Sequence, residues 1–381
     1  MKVGIVCYPT YGGSGVVATE LGKALAKKGH EIHFITYSQP TRLDFFDKNI
    51  YFHEVSVKSY PLFQYPPYEL ALSSKMVDVV MNEQLDILHV HYAVPHASAA
   101  FMAQQILKEK GVEIPFITTL HGTDITIVGK DVTNEPVVTF SMNRSDGVTA
   151  VSEDLKRDTY EHFDVTTDIK VIPNFIDLVR FKKQPKEHFK KAICPNGEKL
   201  IVHTSNFRKV KRVEDVLATF CELRKVVPSK LLLIGDGPER KKMEEGAKEI
   251  CTEDIRFLGK LEAVEEVLSV SDLFLMTSEK ESFGLAALEA MACEVPVIST
   301  NAGGLPELNL DGVSGFVCEV GDIDSMVKKA IHILDDNNLG TFKAGALARA
   351  KEFDIDNVLP QYEDFYHSVL EKHKKSLTQT L

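Results

Sequence analysis

Two carboxylates, Glu281 and Glu289, stand with seven residues between them, beginning Ser282-Phe283-Gly284-Leu285-Ala286. Ser-Phe-Gly is loop-forming, and the residues after it take up a helical pattern. An apolar run, Leu273–Met276, precedes the pair, and a second, Val295–Ser299, follows it. The pattern is that of a buried parallel strand, a tight loop and a helix whose N-terminus opens into a crevice. The unpaired N–H groups of such a terminus favour an anion. Glu281, on the loop, is placed to accept from one set of sugar hydroxyls, and Glu289, farther along, from a second. The pair is weak evidence alone, because Glu281 also suits a helix N-terminus and Glu289 also suits a surface position.

Other stretches carry chemistry at similar places. Tyr11-Gly12-Gly13-Ser14-Gly15 follows the first strand-like run and opens a helix, so backbone and ligand can approach closely and negative charge is favoured. The stretch is not G-x-G-x-x-G, and Thr36-Tyr37-Ser38 stands where a ribose-binding acid would end the second strand. Both facts count against a nicotinamide dinucleotide; a glycine turn needed only for packing is the plain alternative. His89 and His91 face one side of a strand, but no carboxylate or thiol joins them at metal-ligand spacing. No metal site is read from them. His121, at a strand exit before Gly122, is the better candidate for a ligand-facing group. Arg208, Lys209, Lys211 and Arg212 crowd the loop that opens at Ser205, just before a helix. A solvated face is the plain reading of such a run. At a strand's C-terminal end it predicts phosphate contacts, Lys211 as a point charge and Arg208 as a fork. Ile234-Gly235-Asp236-Gly237-Pro238 ends the next strand in a turn. Two Asp-x-Asp triplets, at 322–324 and 354–356, sit near helix starts, where capping explains them better than metal binding.

These stretches need elements to hold them, and the chain supplies two series. Strand-like runs at Lys2–Cys7, Glu31–Tyr37, Ile87–His91, Phe116–His121 and Gly147–Ala150 alternate with helical patterns. After a charged, proline-containing stretch at 173–199, a second series runs through Leu200–Thr204, Lys230–Gly235, Leu273–Met276 and Val295–Ser299. Such alternation is α/β, built from parallel sheets covered on both faces. An amphipathic helix pattern from Val358 to Lys374 comes after the second sheet is complete and predicts packing across the domain boundary. With 381 residues, 44% of them hydrophobic, the chain can bury two cores. A net charge of −11 argues against a nucleic-acid surface over the whole molecule. The six cysteines form no CxxC pair and read as reduced thiols in a cytoplasm. No apolar run reaches the length of a membrane span.

Taken in order, several motifs resemble a retaining GT-B glycosyltransferase of the large sucrose-synthase-like family, over essentially the whole chain. They are Gly12-Gly13-Ser14-Gly15, His121-Gly122, the Lys211 loop, Ile234–Pro238, Glu281 to Glu289, and Gly303-Gly304-Leu305-Pro306-Glu307. Within that family, Ser205-Asn206-Phe207-Arg208, Val210-Lys211-Arg212, Cys7-Tyr8-Pro9 and His89-Val90-His91-Tyr92 are most similar to one branch. That branch moves N-acetylglucosamine from UDP-GlcNAc to the hydroxyl of L-malate, the first step of bacillithiol biosynthesis. One departure stands out: Asn206 lies where many relatives carry Arg, five residues before the phosphate Lys, which leaves Arg208 as the replacement.

The resemblance implies two Rossmann-like domains facing across a crevice. Residues 1–172 would hold the acceptor and 173–357 the nucleotide sugar, and 358–381 would form a helix returning to the first domain. It implies catalytic roles for His121, Lys211 and Glu281. The donor would meet Ser205, Asn206, Arg208, Lys211, Gly235, Ser282, Phe283, Gly284, Leu285, Ala286 and Glu289. A small dicarboxylate acceptor would meet Gly13, Ser14, Gly15, Lys58, Tyr92, Thr119, Arg144 and Asn174. No cofactor and no metal are implied, because cations and a helix N-terminus can neutralise the leaving diphosphate. A cytoplasmic enzyme is expected, and a homodimer is compatible with it. Other readings share some features: transfer of another sugar or to a lipid or polysaccharide, a GT-B sugar-nucleotide epimerase, a nicotinamide oxidoreductase, or a non-catalytic sugar-binding relative.

Overall fold

The computed structural model describes residues 1–10, 12–43, 47–57, 64–250 and 254–379. They fall into two units. Unit 1 runs to Asn174 and includes the C-terminal helix Ile355–Gln379; unit 2 is Phe175–Asp354.

Unit 1 is built on seven strands: β1 (Lys2–Val6), β2 (Glu31–Thr36), β3 (Ile50–Glu54), β4 (Ile87–His91), β5 (Phe116–Leu120), β6 (Gly147–Ala150) and β7 (Ile169–Val171). Their order is β3-β2-β1-β4-β5-β6-β7, and each pair is parallel. β4, β5 and β6 are buried at every residue, as expected for strands covered on both faces. Strand order reverses between β1 and β4, which opens the sheet's C-terminal edge there to a ligand. The C-terminal helix buries Val358, Leu359, Tyr362, Tyr366 and Val369 at helical spacing. Each such side chain contributes about 1.5–3 kcal/mol of burial. Tyr366 also hydrogen-bonds the His89 imidazole at 2.8 Å, and Glu363 meets His30 at 2.8 Å, so the helix is pinned to the sheet it covers. Gly147 admits it: a Cβ there would stand 2.7 Å from the Phe365 ring.

Unit 2 has six strands: β8 (Lys199–Ser205), β9 (Ser229–Gly235), β10 (Ile255–Gly259), β11 (Leu273–Met276), β12 (Val297–Thr300) and β13 (Gly315–Cys318). They run parallel in the order β10-β9-β8-β11-β12-β13. The reversal lies between β8 and β11. The helix Val213–Leu223 turns Val213, Val216, Leu217, Phe220 and Leu223 onto Ile201, Leu231 and Leu233, fixing the loop before it. Four strands have no counterpart in the sequence reading: β3, β7, β10 and β13. They are the edge strands of the two sheets. Asp322 caps its helix by accepting from the Ser325 amide at 3.0 Å, as its position before Ile323 suggested. Five cysteines are free and buried; Cys251 lies outside the described residues.

Candidate active site

In unit 2 the three strands flanking the reversal deliver their loops to one edge. The β8 loop holds Lys211, the β11 loop Glu281, and the two side chains join at 2.5 Å. The loops are stitched by the backbone as well. Thr277 donates its hydroxyl to the carbonyls of Lys211 (3.0 Å) and Arg212 (2.9 Å), and the Glu279 amide donates to Val210 at 2.9 Å. A third loop is tied in by the Gly304 amide, which donates to the Glu281 carbonyl at 2.9 Å. Glu281 also accepts from the Ser278 hydroxyl at 3.3 Å. The Lys211–Glu281 pair is therefore held by its surroundings, which lowers the entropic cost that makes an exposed ion pair weak.

Phe207 and two glycines shape the same edge. Phe207 takes a left-handed φ of +40° and is fully buried, and Arg208 beside it is exposed. Among the described residues Arg208 has no ion pair. Gly235 has φ +121°, and a Cβ on it would lie 1.8 Å from the Ser205 carbonyl oxygen. A Cβ on Gly237 would lie 1.9 Å from the Asn206 oxygen. Both turns are thus pressed against the β8 loop. Ser205 is occupied internally, bonding His203 at 2.8 Å and accepting from the Phe207 amide at 3.3 Å. Gly284 caps the helix Leu285–Ala292 at φ +99°, where a side chain would strike Leu305. The amides of Leu285 and Ala286 precede the first helical bonds, which Ala287 and Leu288 make to Gly284. Phe283 is turned inward against Phe353, with ring centres 5.5 Å apart, so only its backbone is available to a ligand. Glu289, one turn into the helix, is 8% exposed.

Unit 1 assembles a different site at its own reversal. The helix Gly13–Lys27 starts after β1, and Val16 is the first of its residues whose amide bonds back, to Gly12. The amides of Gly13, Ser14 and Gly15 are left for a ligand. Gly15 is required because a Cβ would stand 2.4 Å from the Tyr8 carbonyl. Tyr92, after β4, donates to the Ser14 hydroxyl at 2.7 Å. It does so from φ +87°, a conformation that costs a non-glycine residue about 1–3 kcal/mol and is typically retained where function needs it. His121, after β5, meets His91 at 2.7 Å, and Asp124 fixes its backbone by accepting from the amides of Ala93, Gly122 and His121. Burial pushes the Asp124 carboxyl up to about 6 against those three donors. Burial also holds the imidazoles of His89 and His121 down to about 3 and His96 to about 4, and His91 falls well below its ordinary value. All four rings are neutral near pH 7.

Several known proteins share this architecture. Residues 184–343 match the family described as glycosyl transferases group 1, and residues 11–180 match glycosyltransferase family 4. The N-acetyl-alpha-D-glucosaminyl L-malate synthase of Bacillus anthracis is 49% identical over 98% of this chain and 98% of its own. The chain belongs to the group 1 glycosyltransferases. Among solved structures, Anabaena HepE in complex with UDP and glucose superposes with a TM-score of 0.82, at 20% identity over 97% of this chain and 100% of that one. The sucrose-phosphate synthase of Thermosynechococcus elongatus gives 0.80, at 18% identity over 98% and 100%. Those likenesses establish the GT-B fold.

In this glycosyltransferase the unit 2 candidates all stand at the C-terminal ends of β8, β9 and β11, which are neighbours. The unit 1 candidates do not gather so well. Gly13, Ser14, Gly15, Tyr92 and His121 share one edge. Thr119 does not serve it: the residue is fully buried inside β5, its hydroxyl bonded to Thr149 and His89 at 2.7 Å each. Arg144 ends the helix that enters β6, so it lies at the opposite, N-terminal edge, over the Phe140 ring at 5.3 Å. Asn174 is on the correct edge but follows β7, four strand spacings from β1. At about 4.8 Å per spacing, that is roughly 19 Å, too far for one small acid to touch both it and Ser14. Lys58 lies outside the described residues. The sequence reading gave no role to Asp124, Ser278 or Thr277. Their signal was position alone, each one to four residues beyond a strand end.

Proposed function

We propose that this glycosyltransferase moves N-acetylglucosamine from UDP-GlcNAc to the hydroxyl of L-malate with retention at the anomeric carbon, the opening step of bacillithiol biosynthesis. The observation that carries the choice of substrates is the 49% identity, end to end, with a relative named for that product. The geometry agrees with the demands of the reaction. Unit 2 offers a nucleoside diphosphate the amides of Leu285 and Ala286, the Lys211 ammonium and the exposed Arg208 fork. Glu289 accepts from the ribose hydroxyls. In the ligand-free chain Lys211 and Glu281 neutralise each other. When a diphosphate becomes the counter-ion of Lys211, the Glu281 carboxylate is released to accept from hydroxyls of the transferred sugar. Unit 1 offers a dicarboxylate the amides of Gly13, Ser14 and Gly15, with the Ser14 and Tyr92 hydroxyls beside them.

The step balances without a cofactor. The malate hydroxyl oxygen bonds to the sugar's anomeric carbon on the face the diphosphate leaves. The bond from that carbon to the phosphate oxygen breaks with its electron pair, and the hydroxyl proton passes to the departing diphosphate. Lys211, Arg208 and the helix amides stabilise the charge that grows there, the largest contribution protein groups ordinarily make to such a step. The reading places the reaction in the cytoplasm; among the described residues no helix is long and apolar enough to cross a membrane. Incubating the protein with a matrix of nucleotide sugars and acceptors, and weighing the products, tests the assignment. A GlcNAc–malate mass formed best from UDP-GlcNAc supports it. A different donor–acceptor pair giving faster turnover overturns it.

A further inference from the structure

Behind the ligand-facing edge of unit 1 lies a cluster of four histidines, of which only His121 is a ligand-facing candidate from the sequence. Its hydrogen bonds determine where the protons sit. His121 meets His91 between Nε2 and Nδ1 at 2.7 Å, with ring centres 5.0 Å apart and planes tilted by 24°. The rings therefore meet tip to tip, and a single proton is shared on a nearly straight N–H···N line. Which ring owns that proton follows from the far side of His91. Its Nε2 is buried and has no hydrogen-bond partner among the described residues. A neutral imidazole carries one N–H and one bare nitrogen. If His121 donated, the proton of His91 would sit on that partnerless Nε2 as an orphaned buried N–H, among the rarest unsatisfied groups in folded proteins. If His91 donates from Nδ1, the partnerless atom is only a bare lone pair.

The neighbours conform to the second arrangement. His96 approaches the His91 carbonyl through Nδ1, so it must donate there, and its own partnerless Nε2 is likewise a bare lone pair. His89 stacks face to face on His91, with centres 4.4 Å apart, and spends both ring nitrogens on Tyr366 and Thr119, donating to one and accepting from the other, so it offers His91 no acceptor. Burial holds all four rings neutral, so no second proton is available to fill both sites.

We infer that His91 is a positioning residue that fixes His121 as the Nδ1–H tautomer, so that His121 meets its ligand as a hydrogen-bond donor and not as a general base. Its Nδ1 has no partner among the described residues, whereas its Nε2, the only nitrogen with a lone pair to take a proton, is consumed by His91. The ligand atom it serves is then an acceptor, such as a sugar or malate oxygen. This deepens the proposed transfer reaction, in which the departing diphosphate and not His121 takes the hydroxyl proton.

The test is read in the ligand-free protein, so it stands whether or not malate proves to be the acceptor. Nitrogen-15 labelling of histidine, with His121 assigned by loss of its signals in H121N, reports which ring nitrogen carries hydrogen at pH 7. Wild type is expected to show His121 protonated at Nδ1. In H91N the side-chain amide replaces the Nδ1 donor, and the same tautomer should persist with most of the activity. In H91L the donor is gone; the tautomers should mix, and kcat should fall at least tenfold with little change in donor KM. Protonation of His121 at Nε2 in wild type overturns the inference. So does an unchanged His121 spectrum in H91L. Should H91L not fold, the wild-type spectrum and the H91N comparison still decide.

Discussion

Lowering the pH from 7 to 5 should destabilise unit 1 far more than unit 2. His89, His91, His96 and His121 all have folded pKa values depressed by burial, to about 3 or 4 where a value is assigned. A depressed folded value means that the unfolded chain binds the proton first. The stability these groups contribute is therefore present above about 6.5 and is lost as pH falls from there toward the folded values. With an unfolded pKa of about 6.5 and folded values well below 5, each ring costs about 2 kcal/mol between pH 7 and 5. Asp124 works the other way. Burial raises it to about 6, so the folded state takes its proton first and regains about 1 kcal/mol over the same interval. The four rings outweigh Asp124, so unit 1 loses several kcal/mol, of the order of a whole domain's stability. In unit 2, His203 is the strongly depressed histidine, at about 4, and it costs about 2 kcal/mol. The chain contains no tryptophan, so hydrogen exchange read by mass is the suitable assay, with peptides covering β4 and β5 compared with those covering β8 and β11. Exchange through unfolding should quicken at pH 5 in the first pair well beyond the second, after correction for the intrinsic pH dependence. Equal changes in both units would refute the claim that the cluster is held neutral.

Lys211→Ala should lower kcat by about 10²–10³ with a smaller effect on donor binding, because the diphosphate gains charge in the transition state. Stopped assays across donor concentration check this, and unchanged kcat with raised KM would show a binding role only. Glu289→Gln should weaken UDP and UDP-GlcNAc alike by about 1–3 kcal/mol. Glu281→Gln should weaken the intact nucleotide sugar more than UDP, and calorimetric titration of both variants with both ligands separates the two roles. Gly235→Ala should destabilise the protein by at least about 1–3 kcal/mol from its backbone conformation alone, with the collision against Ser205 added. A melting temperature equal to wild type would contradict that.

What the sequence made legible follows from burial. The strands read from apolar runs are central ones, such as β4, β5 and β11, buried at every residue. The four that left no signal are edge strands. β3 is half-exposed, β7 has three residues, and β10 is interrupted by the exposed Arg256, so none of these three forms a long apolar run; β13 is apolar but only four residues long. The gathering of the proposed donor-site residues was legible because Gly235 ends a strand and Lys211 and Glu281 lie in loops that leave strand ends, and parallel sheets bring such positions to one edge. The acceptor side was harder. Arg144 precedes its strand, which sends it to the far edge. Thr119 lies in a strand covered on both faces, where no alternation of polar and apolar residues shows which way a hydroxyl turns. The Lys211–Glu281 ion pair joins residues 70 positions apart and leaves no local trace. Nor did the sequence reveal the strained backbone of Tyr92, since tyrosine does not announce a positive φ as glycine does.

The reaction proposed for this chain is the transfer of N-acetylglucosamine to malate. It is tested most directly by following UDP release and the product's anomeric proton together, with UDP-GlcNAc saturating and L-malate compared with a neutral sugar at equal concentration. UDP should appear only when an acceptor is present, fastest with malate, and the product should have the donor's α configuration. UDP release independent of acceptor, a β product, or faster turnover with the neutral sugar would contradict it.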